Sequence, residues 1–85
     1  MFIETTQTFN KQYSRLNSKI KTSFNWRIKM FEANPFNIIL CNHALQGKYL
    51  GCRSIEIIED VYVLYTTQGD VIILFGFIGT HAQLY

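Results

Sequence analysis

The stretch that decides the fold runs from Lys48 to Phe77 and reads KYLGCRSIEIIEDVYVLYTTQGDVIILFGF. Three segments of it are rich in the β-branched and aromatic residues typical of strands, namely Lys48–Ile58, Val61–Thr67 and Val71–Phe77. The short polar turns Glu59-Asp60 and Gln68-Gly69-Asp70 separate them. Connections of this length join only antiparallel neighbours, since a parallel crossover needs about a dozen residues or more. The second half of the chain is therefore predicted to form an antiparallel sheet.

The first half of the chain has a helical spacing of apolar residues. The positions that recur every three or four residues, and so share one helical stripe, are Phe9, Tyr13, Leu16, Ile20 and Phe24. Asn17-Ser18 is a point at which this segment can divide into two antiparallel helices. Asn34-Pro35 should end the second helix, because a residue before proline is disfavoured in the α conformation. The residues before these helices, Phe2–Thr5, read as a short strand.

The predicted element order is β-α-α-β-β-β, an α+β fold with two antiparallel helices packed on one face of a small antiparallel sheet. We expect residues 1–85 to form a single domain of this kind. The helices can cover only one side of the sheet. The other side must be solvated, occupied by a partner, or the floor of a site.

The composition favours a soluble cytoplasmic protein without a membrane partner. Hydrophobic residues make up 48% of the chain and aromatic residues 15%, enough for a core without disulfide or metal support. The two cysteines, Cys41 and Cys52, are few for a disulfide-built secreted domain. No signal peptide is evident after Met1, and the apolar runs are too short to span a bilayer.

The positive charge is concentrated in one part of the chain. The net charge is only +2, yet all eight basic residues lie between Lys11 and Arg53. Lys11, Arg15 and Lys19 recur at steps of four, on a different helical face from the apolar stripe. Such a block either faces nucleic-acid phosphates or forms a solvated helix face, and the sequence leaves both interpretations open.

The two histidines, His43 and His81, lie near the ends of predicted elements. Each by itself is compatible with a surface or capping role. RNA cleavage without a metal needs a base for the 2′-hydroxyl proton, an acid for the leaving 5′-oxygen and a donor for the phosphate charge. Two imidazoles can divide the acid and base roles, and Arg53 can bind phosphate with two donors. Asp60, in the turn, could orient a histidine or act as the base itself.

No metal or cofactor is expected. The metal-capable residues Cys41, His43, Cys52 and His81 have spacings that fit no common zinc motif. Carboxylates are too few for an acidic magnesium cluster, and no glycine-rich phosphate loop is present. If the chain is an enzyme, its predicted chemistry is acid–base catalysis.

Three segments together carry a resemblance to a known family. They are His43–Gly47 followed by Gly51–Ile55, then Asp60 followed by Tyr65, and finally Gly79–Tyr85. In order and spacing they match the pattern H-x-L-x-G, G-x-R, D-x₄-Y and G-T-H-x-x-L-[FY]. The chain therefore resembles the YafQ branch of the RelE/ParE toxin superfamily, whose members are neutralised by a co-expressed antitoxin. Several of these toxins cut mRNA bound in the ribosome.

The resemblance implies catalytic roles for His43, Asp60 and His81. It also implies that Tyr85, the final aromatic of the motif, stacks on a base or packs against the catalytic histidine. The chain departs from the pattern at two places. Glu56 stands where a histidine is common, and Phe77-Ile78 precede Gly79 where an arginine is often found. Glu56 then either serves as a base or marks a weakened site.

The leading hypothesis is a metal-free endoribonuclease toxin of a type II toxin–antitoxin system. In this hypothesis Lys11, Arg15 and Lys19 hold ribosomal RNA phosphates. The cluster that cuts the mRNA codon consists of His43, Asp60, His81 and Arg53. The expected partners are an antitoxin, mRNA and the ribosome, with operator DNA bound only through the antitoxin complex. Two alternatives stay open: a non-enzymatic inhibitor like the ParE branch, and a catalytically weakened toxin that acts as an antitoxin-binding module.

Overall fold

The computed structural model describes residues 1–69 and 72–85, and it has the predicted α+β architecture. The elements in chain order are β1 (Phe2–Thr5), α1 (Gln7–Ser14), α2 (Ser18–Ala33), β2 (His43–Ala44), β3 (Arg53–Ile58), β4 (Val61–Gln68), β5 (Ile72–Thr80) and α3 (His81–Leu84). Two short 3-10 turns lie at Ile38–Leu40 and Gly47–Tyr49. The predicted turn residue Asp70 and the predicted strand start Val71 lie outside the described residues.

The strands form one sheet in the order β1-β5-β4-β3-β2. Neighbours from β2 to β5 are antiparallel, and for β3, β4 and β5 this pairing was predicted from their short connections. The first strand instead runs parallel to β5, with Phe2 opposite Ile72 and Thr5 opposite Phe75. This parallel pairing is possible because α1 and α2 supply a long crossover between β1 and the rest of the sheet. The sheet is therefore mostly, and not wholly, antiparallel.

The helix boundaries follow from local capping. The side chain of Thr6 accepts a hydrogen bond from the Phe9 amide and begins α1. The side chain of Asn17 accepts one from the Ile20 amide, so the predicted break at Asn17-Ser18 is the N-cap of α2. α2 ends at Ala33, just before the Asn34-Pro35 dipeptide that predicted its end.

The segment before β3 differs from its prediction. Only Arg53–Ile58 of the predicted strand Lys48–Ile58 is extended, because Gly47 and Gly51 have φ angles of +67° and +95°. Such angles turn the backbone sharply and favour glycine. The chain thus doubles back, and His43–Ala44 pairs with β3 as an additional edge strand that was not predicted. At the other end, β5 extends three residues beyond the predicted Phe77, to Thr80.

The main core lies between the two long helices and one face of the sheet. Phe75 is fully buried at its centre. Ring centroids of four aromatic residues lie 5.7 to 6.3 Å from the Phe75 ring: Phe9, Phe24, Phe31 and Tyr65. Burial of several aromatic rings at one point supplies much of the hydrophobic stabilisation available to so small a fold.

A smaller apolar cluster lies on the opposite face of the sheet. Leu45, Leu64 and Leu84 are buried in it, and four half-buried residues pack against them: Tyr49, Cys52, Tyr62 and Phe77. Leu45 belongs to the loop after β2 and Leu84 to α3. The face that the long helices leave free is therefore partly covered by these two segments, which become the walls of a site.

Polar contacts extend the attachment of α1 to β5 beyond the end of β1. The hydroxyl of Thr6 donates to the Gly76 carbonyl at 2.7 Å. The side-chain oxygen of Gln12 accepts from the Ile78 amide at 2.9 Å. These bonds satisfy backbone groups on the part of β5 that β1 does not reach. Among the described residues, no helix has the length and apolarity needed to cross a membrane.

Candidate active site

A cavity of about 300 Å³ opens on the sheet face opposite the long helices. Its lining residues are His43, Leu45, Ser54, Tyr62, His81 and Tyr85. Strand pairing explains how they meet, because residues directly opposite each other project to the same face of a sheet. Ser54 on β3 lies opposite His43 on one side, and Tyr62 on β4 lies opposite Gly79, shortly before His81, on the other. The two predicted histidines therefore share one cleft.

The ring of His43 has a defined hydrogen-bonding arrangement. Its Nδ1 lies 2.8 Å from the carbonyl oxygen of Cys41, whose backbone is left-handed with φ of 49°. A carbonyl only accepts, so Nδ1 must be the donor. In the neutral ring Nε2 then carries the free lone pair, as a general base requires.

His81 is the first residue of α3, and a capping box fixes that helix turn. The Thr80 side chain accepts from the Gln83 amide, and the Gln83 side chain accepts from the Thr80 amide. A Cβ on Gly79 would lie 2.9 Å from the Gln83 side-chain oxygen, so a larger residue would push the Gln83 side chain out of its place in the capping box. The glycine and the threonine of the G-T-H segment therefore both have structural roles. Together they hold the helix turn that places His81 at the cavity.

Tyr85 packs directly on His81. Their rings are stacked, with centroids 4.6 Å apart and planes 26° from parallel. Burial raises the pKa of the Tyr85 phenol above its ordinary value, and the nearby Tyr49, Tyr62 and Cys52 side chains raise it further. The phenol therefore stays protonated at neutral pH and remains a hydrogen-bond donor at the rim of the cavity.

Arg53 does not line this cavity. Side chains alternate along a strand, so Ser54 faces the cavity while its neighbour Arg53 faces the other side of the sheet. There its Nε donates to the Asn42 side-chain oxygen at 2.7 Å, and its guanidinium lies 5.2 Å from the Phe36 ring centroid. The structure therefore brings together the two histidines and Tyr85, and it separates Arg53 from them.

The two acidic residues of the predicted site lie near the cavity without lining it. Asp60 is exposed at the tip of the β3–β4 turn, with φ of 60°. Since Val61 pairs with Thr80, this turn lies at the same end of the sheet as His81. Glu56 lies opposite Tyr62 and so projects to the cavity face. Its backbone carbonyl accepts a hydrogen bond from Arg27.

The predicted basic residues Lys11, Arg15 and Lys19 are all exposed, and none lines the cavity. Arg15 lines a separate hollow of about 280 Å³, together with residues that include Gln83 of α3. Arg15 therefore lies near the helix turn that carries His81.

Ser54, Tyr62 and Leu45 also line the cavity, and none of them was among the predicted site residues. The register of β3 with β4 is the signal that identifies Tyr62, because it aligns this residue with Glu56. No lysine or arginine is among the lining residues in the part of the chain that the structure describes. In the same part, no cluster of three or more histidine, cysteine, aspartate or glutamate side chains is placed to hold a metal ion.

Asn42 organises the surroundings of Arg53. Its side-chain nitrogen donates to the Pro35 carbonyl at 2.9 Å and to the Tyr65 hydroxyl at 2.7 Å, while its oxygen accepts from Arg53. Asn42→Ala is expected to lower the free energy of unfolding by about 1–3 kcal/mol, because it leaves half-buried polar groups without partners. Chemical denaturation measures this loss. Asn25→Ala, at an exposed position of α2, is the control, and equal stability of the two variants would contradict the prediction.

Two helices on one face of a mostly antiparallel sheet, with the cavity on the other, define a toxin fold of the RelE-like class. The structure is similar to the crystal structure of YafQ from E. coli strain BL21(DE3), with a TM-score of 0.82 and 22% identity over 98% of this chain and 96% of that one. It is also similar to a YoeB/ParE toxin from Agrobacterium tumefaciens, with a TM-score of 0.78 and 19% identity over 95% of this chain and 99% of that one. A third similar structure is the E. coli DinJ-YafQ complex, with a TM-score of 0.71 and 24% identity over 98% and 96% of the two chains.

The family model described as "Bacterial toxin of type II toxin-antitoxin system, YafQ" matches residues 1–85. The chain therefore belongs to the YafQ family of type II toxin–antitoxin toxins, which confirms the resemblance found in the sequence. No curated protein sequence matches the chain.

Proposed function

We propose that this toxin is an endoribonuclease that cleaves mRNA on the ribosome, in the cytoplasm, by acid–base catalysis without a resident metal. Residues 1–85 act as one toxin domain. The observation that carries the proposal is the shared cavity of His43 and His81, two imidazoles that come from distant parts of the chain. Two groups of this kind supply the proton transfers that RNA cleavage needs near neutral pH.

His43 is proposed as the base and His81 as the acid. The free Nε2 of His43 accepts the 2′-hydroxyl proton, and the 2′-oxygen attacks the phosphorus atom. The bond from phosphorus to the 5′-oxygen breaks, and protonated His81 donates a proton to that leaving oxygen. The products are a 2′,3′-cyclic phosphate and a 5′-hydroxyl. Asp60, at the same end of the sheet as His81, is proposed to orient the His81 ring or to share the proton transfer. Glu56, opposite Tyr62 on the neighbouring strand, is proposed as an alternative base.

The charge that develops on the phosphate requires donors. Since no lining residue is a lysine or arginine in the described part of the chain, the hydroxyls of Ser54, Tyr62 and Tyr85 are the proposed donors. Tyr85 is 47% exposed, so its ring can also support a stacked base. Arg53 is proposed to bind a phosphate of a neighbouring nucleotide and not the phosphate that is cleaved. The reason is that its side chain projects from the face of the sheet opposite the cavity.

Lys11, Arg15 and Lys19 are proposed to contact ribosomal RNA. Lys11 is exposed on α1, Arg15 directly after α1 and Lys19 at the start of α2, and Arg15 shares a hollow with Gln83 of α3. Contacts of this kind are electrostatic and position the toxin without reading sequence. Added salt should therefore weaken ribosome binding.

A cognate antitoxin is the proposed protein partner, as in the DinJ-YafQ complex of the related fold. Several large apolar side chains are more than half exposed and offer surface for such a partner, among them Trp26, Phe36, Ile38 and Leu50. Operator DNA is proposed to bind only through the antitoxin of that complex.

A second candidate is a toxin that binds its target without cutting RNA. The absence of a cationic lining residue in the described cavity and the presence of Glu56 in place of a histidine favour it. It covers both a ParE-like inhibitor and a weakened toxin that retains antitoxin binding.

Expression of the toxin without its antitoxin, followed by primer extension on a reporter mRNA, tests the proposal. We expect growth arrest and discrete cuts within translated codons, and the same cuts in a purified translation system only when ribosomes are present. Growth arrest with intact mRNA would favour the inhibitor. Normal growth at a verified soluble level would favour the weakened toxin.

A further inference from the structure

We infer that Tyr49 is a positioning residue that holds the α3 turn, and with it His81, in the geometry of the site. The inference rests on the proposed function and adds to it a residue outside the cavity lining. Tyr49 lies at the end of the Gly47–Tyr49 turn, a few residues after strand β2, which carries His43. Three contacts carry the argument.

The first contact is a hydrogen bond from the Tyr49 hydroxyl to the Leu84 carbonyl. Leu84 is the last residue of α3, a helix of four residues. So short a helix is unstable by itself, and its last carbonyls have no partners within the helix. Within the described residues, the Tyr49 hydroxyl is the side-chain donor that satisfies the Leu84 carbonyl, and it ties the end of α3 to the loop.

The second contact is between rings. The Tyr49 ring meets the Tyr85 ring edge-on, with centroids 5.3 Å apart and an interplanar angle of 85°. Tyr85 in turn stacks on His81 at 4.6 Å. Tyr49 therefore limits where Tyr85 can lie, and Tyr85 limits the orientation of the His81 imidazole.

The third contact is between the ring of Tyr49 and the ring of Phe77. The Tyr49 ring packs edge-on against Phe77 of β5, with centroids 5.5 Å apart. Phe77 precedes the G-T-H segment where the family pattern often has an arginine. At this position the chain thus has an aromatic platform for Tyr49 in place of a phosphate-binding cation.

Backbone hydrogen bonds also connect Tyr49 to the segment directly after His43. The Tyr49 carbonyl accepts from the Cys52 amide at 2.9 Å, and the Cys52 carbonyl accepts from the Leu45 amide at 3.0 Å, two residues beyond His43. Tyr49 therefore joins the wall that carries His43 to the turn that carries His81. A displacement of about 1 Å between catalytic groups reduces rates by up to about 100-fold, so this link matters for cleavage.

Two substitutions test the inference in the full-length chain. Tyr49→Phe removes the hydrogen bond and keeps the ring contacts, whereas Tyr49→Leu removes both. We expect Tyr49→Leu to lower kcat for mRNA cleavage by about tenfold to 100-fold with little change in KM, and Tyr49→Phe to recover part of that loss. Tyr13→Phe, at a half-buried tyrosine of α1, is the matched control and should retain wild-type kcat.

Histidine ring NMR provides a readout that does not depend on cleavage. The chain has only two histidines, so a His43→Gln variant assigns the His81 signals. Stacking on Tyr85 should shift the His81 ring protons upfield, and Tyr49→Leu should remove most of this shift. Unchanged His81 signals and unchanged kcat in Tyr49→Leu would overturn the inference.

The two proposals fail separately. If the wild-type toxin cuts no RNA, the proposed function fails, while the NMR comparison still decides whether Tyr49 positions His81. If Tyr49→Leu does not fold, the Tyr49→Phe variant decides: a His81 signal and kcat identical to wild type would overturn the role of the hydrogen bond.

Discussion

His81→Gln is expected to lower the rate of mRNA cleavage by about 10²- to 10⁴-fold, the range typical for loss of a general acid or base. Glutamine retains hydrogen-bonding groups but does not deliver a proton near neutral pH. His81 lines the cavity opposite the His43 wall, and the lining includes no third imidazole in the described part of the chain. Primer extension on a reporter mRNA in a purified translation system measures the rate.

The same substitution should leave the fold intact. The His81 side chain is exposed, and the capping box that forms α3 uses Thr80 and Gln83 and not His81. The free energy of unfolding should therefore change by no more than about 0.5 kcal/mol. Antitoxin binding should also persist, since it does not depend on proton transfer.

Ala82→Gln is the matched control, because it introduces the same side chain at the next exposed position. It should retain cleavage within a few-fold of wild type. If His81→Gln cut mRNA as fast as this control, the proposed catalytic role of His81 would be wrong.

Phe75→Ala is expected to have the largest effect on stability, a loss of about 3–5 kcal/mol in the free energy of unfolding. The side chain is fully buried, and four aromatic rings surround it within 6.3 Å. Alanine would leave a cavity at this point. The surrounding rings, which belong to α1, α2 and β4, could fill it only by losing contacts with their other neighbours. Domains of this size have total stabilities of about 5–15 kcal/mol, so this loss removes a large fraction of the free energy of unfolding, and the denaturation midpoint should fall well below that of wild type.

Equilibrium denaturation followed by circular dichroism measures this loss. Phe2→Ala is the control, since Phe2 lies on β1 of the same sheet but is 66% exposed. Its free energy of unfolding should change by about 0.5 kcal/mol or less. Equal losses in the two variants would show that the Phe75 ring cluster is not the centre of the core.

Local patterns predicted much of the fold because their causes are local. β-branched runs with two- and three-residue polar turns admit only antiparallel hairpins, and β3, β4 and β5 pair antiparallel as predicted, although β3 begins later and β5 ends later than predicted. The break at Asn17 was readable because a side-chain cap acts within three residues. The parallel pairing of β1 with β5 was not readable, since it joins residues about seventy positions apart.

The candidate site was likewise predicted in part from the sequence, and the rest of it required the tertiary structure. The candidate histidines were identified from residue type and motif, and the structure places both in one cavity. Tyr62 and Ser54 were missed because only strand register reveals which residues face the cavity. The role of Tyr49 was not predicted either, because its contacts join the Gly47–Tyr49 turn to Leu84 and Tyr85, which are distant in sequence.

By itself, the sequence determined the order of the long elements, the break between the helices and the family of this toxin, because each depends on short-range chemistry or on a motif with fixed spacing; the edge strand β2 and the short helix α3 were not predicted. Only the tertiary structure decided which side chains share the cleft. Arg53 and Ser54 are neighbours in the chain, yet the alternation of a strand sends one toward Asn42 and the other into the cavity. A one-residue difference in register exchanges the two faces of a strand, and register is set by pairing and packing across the whole sheet.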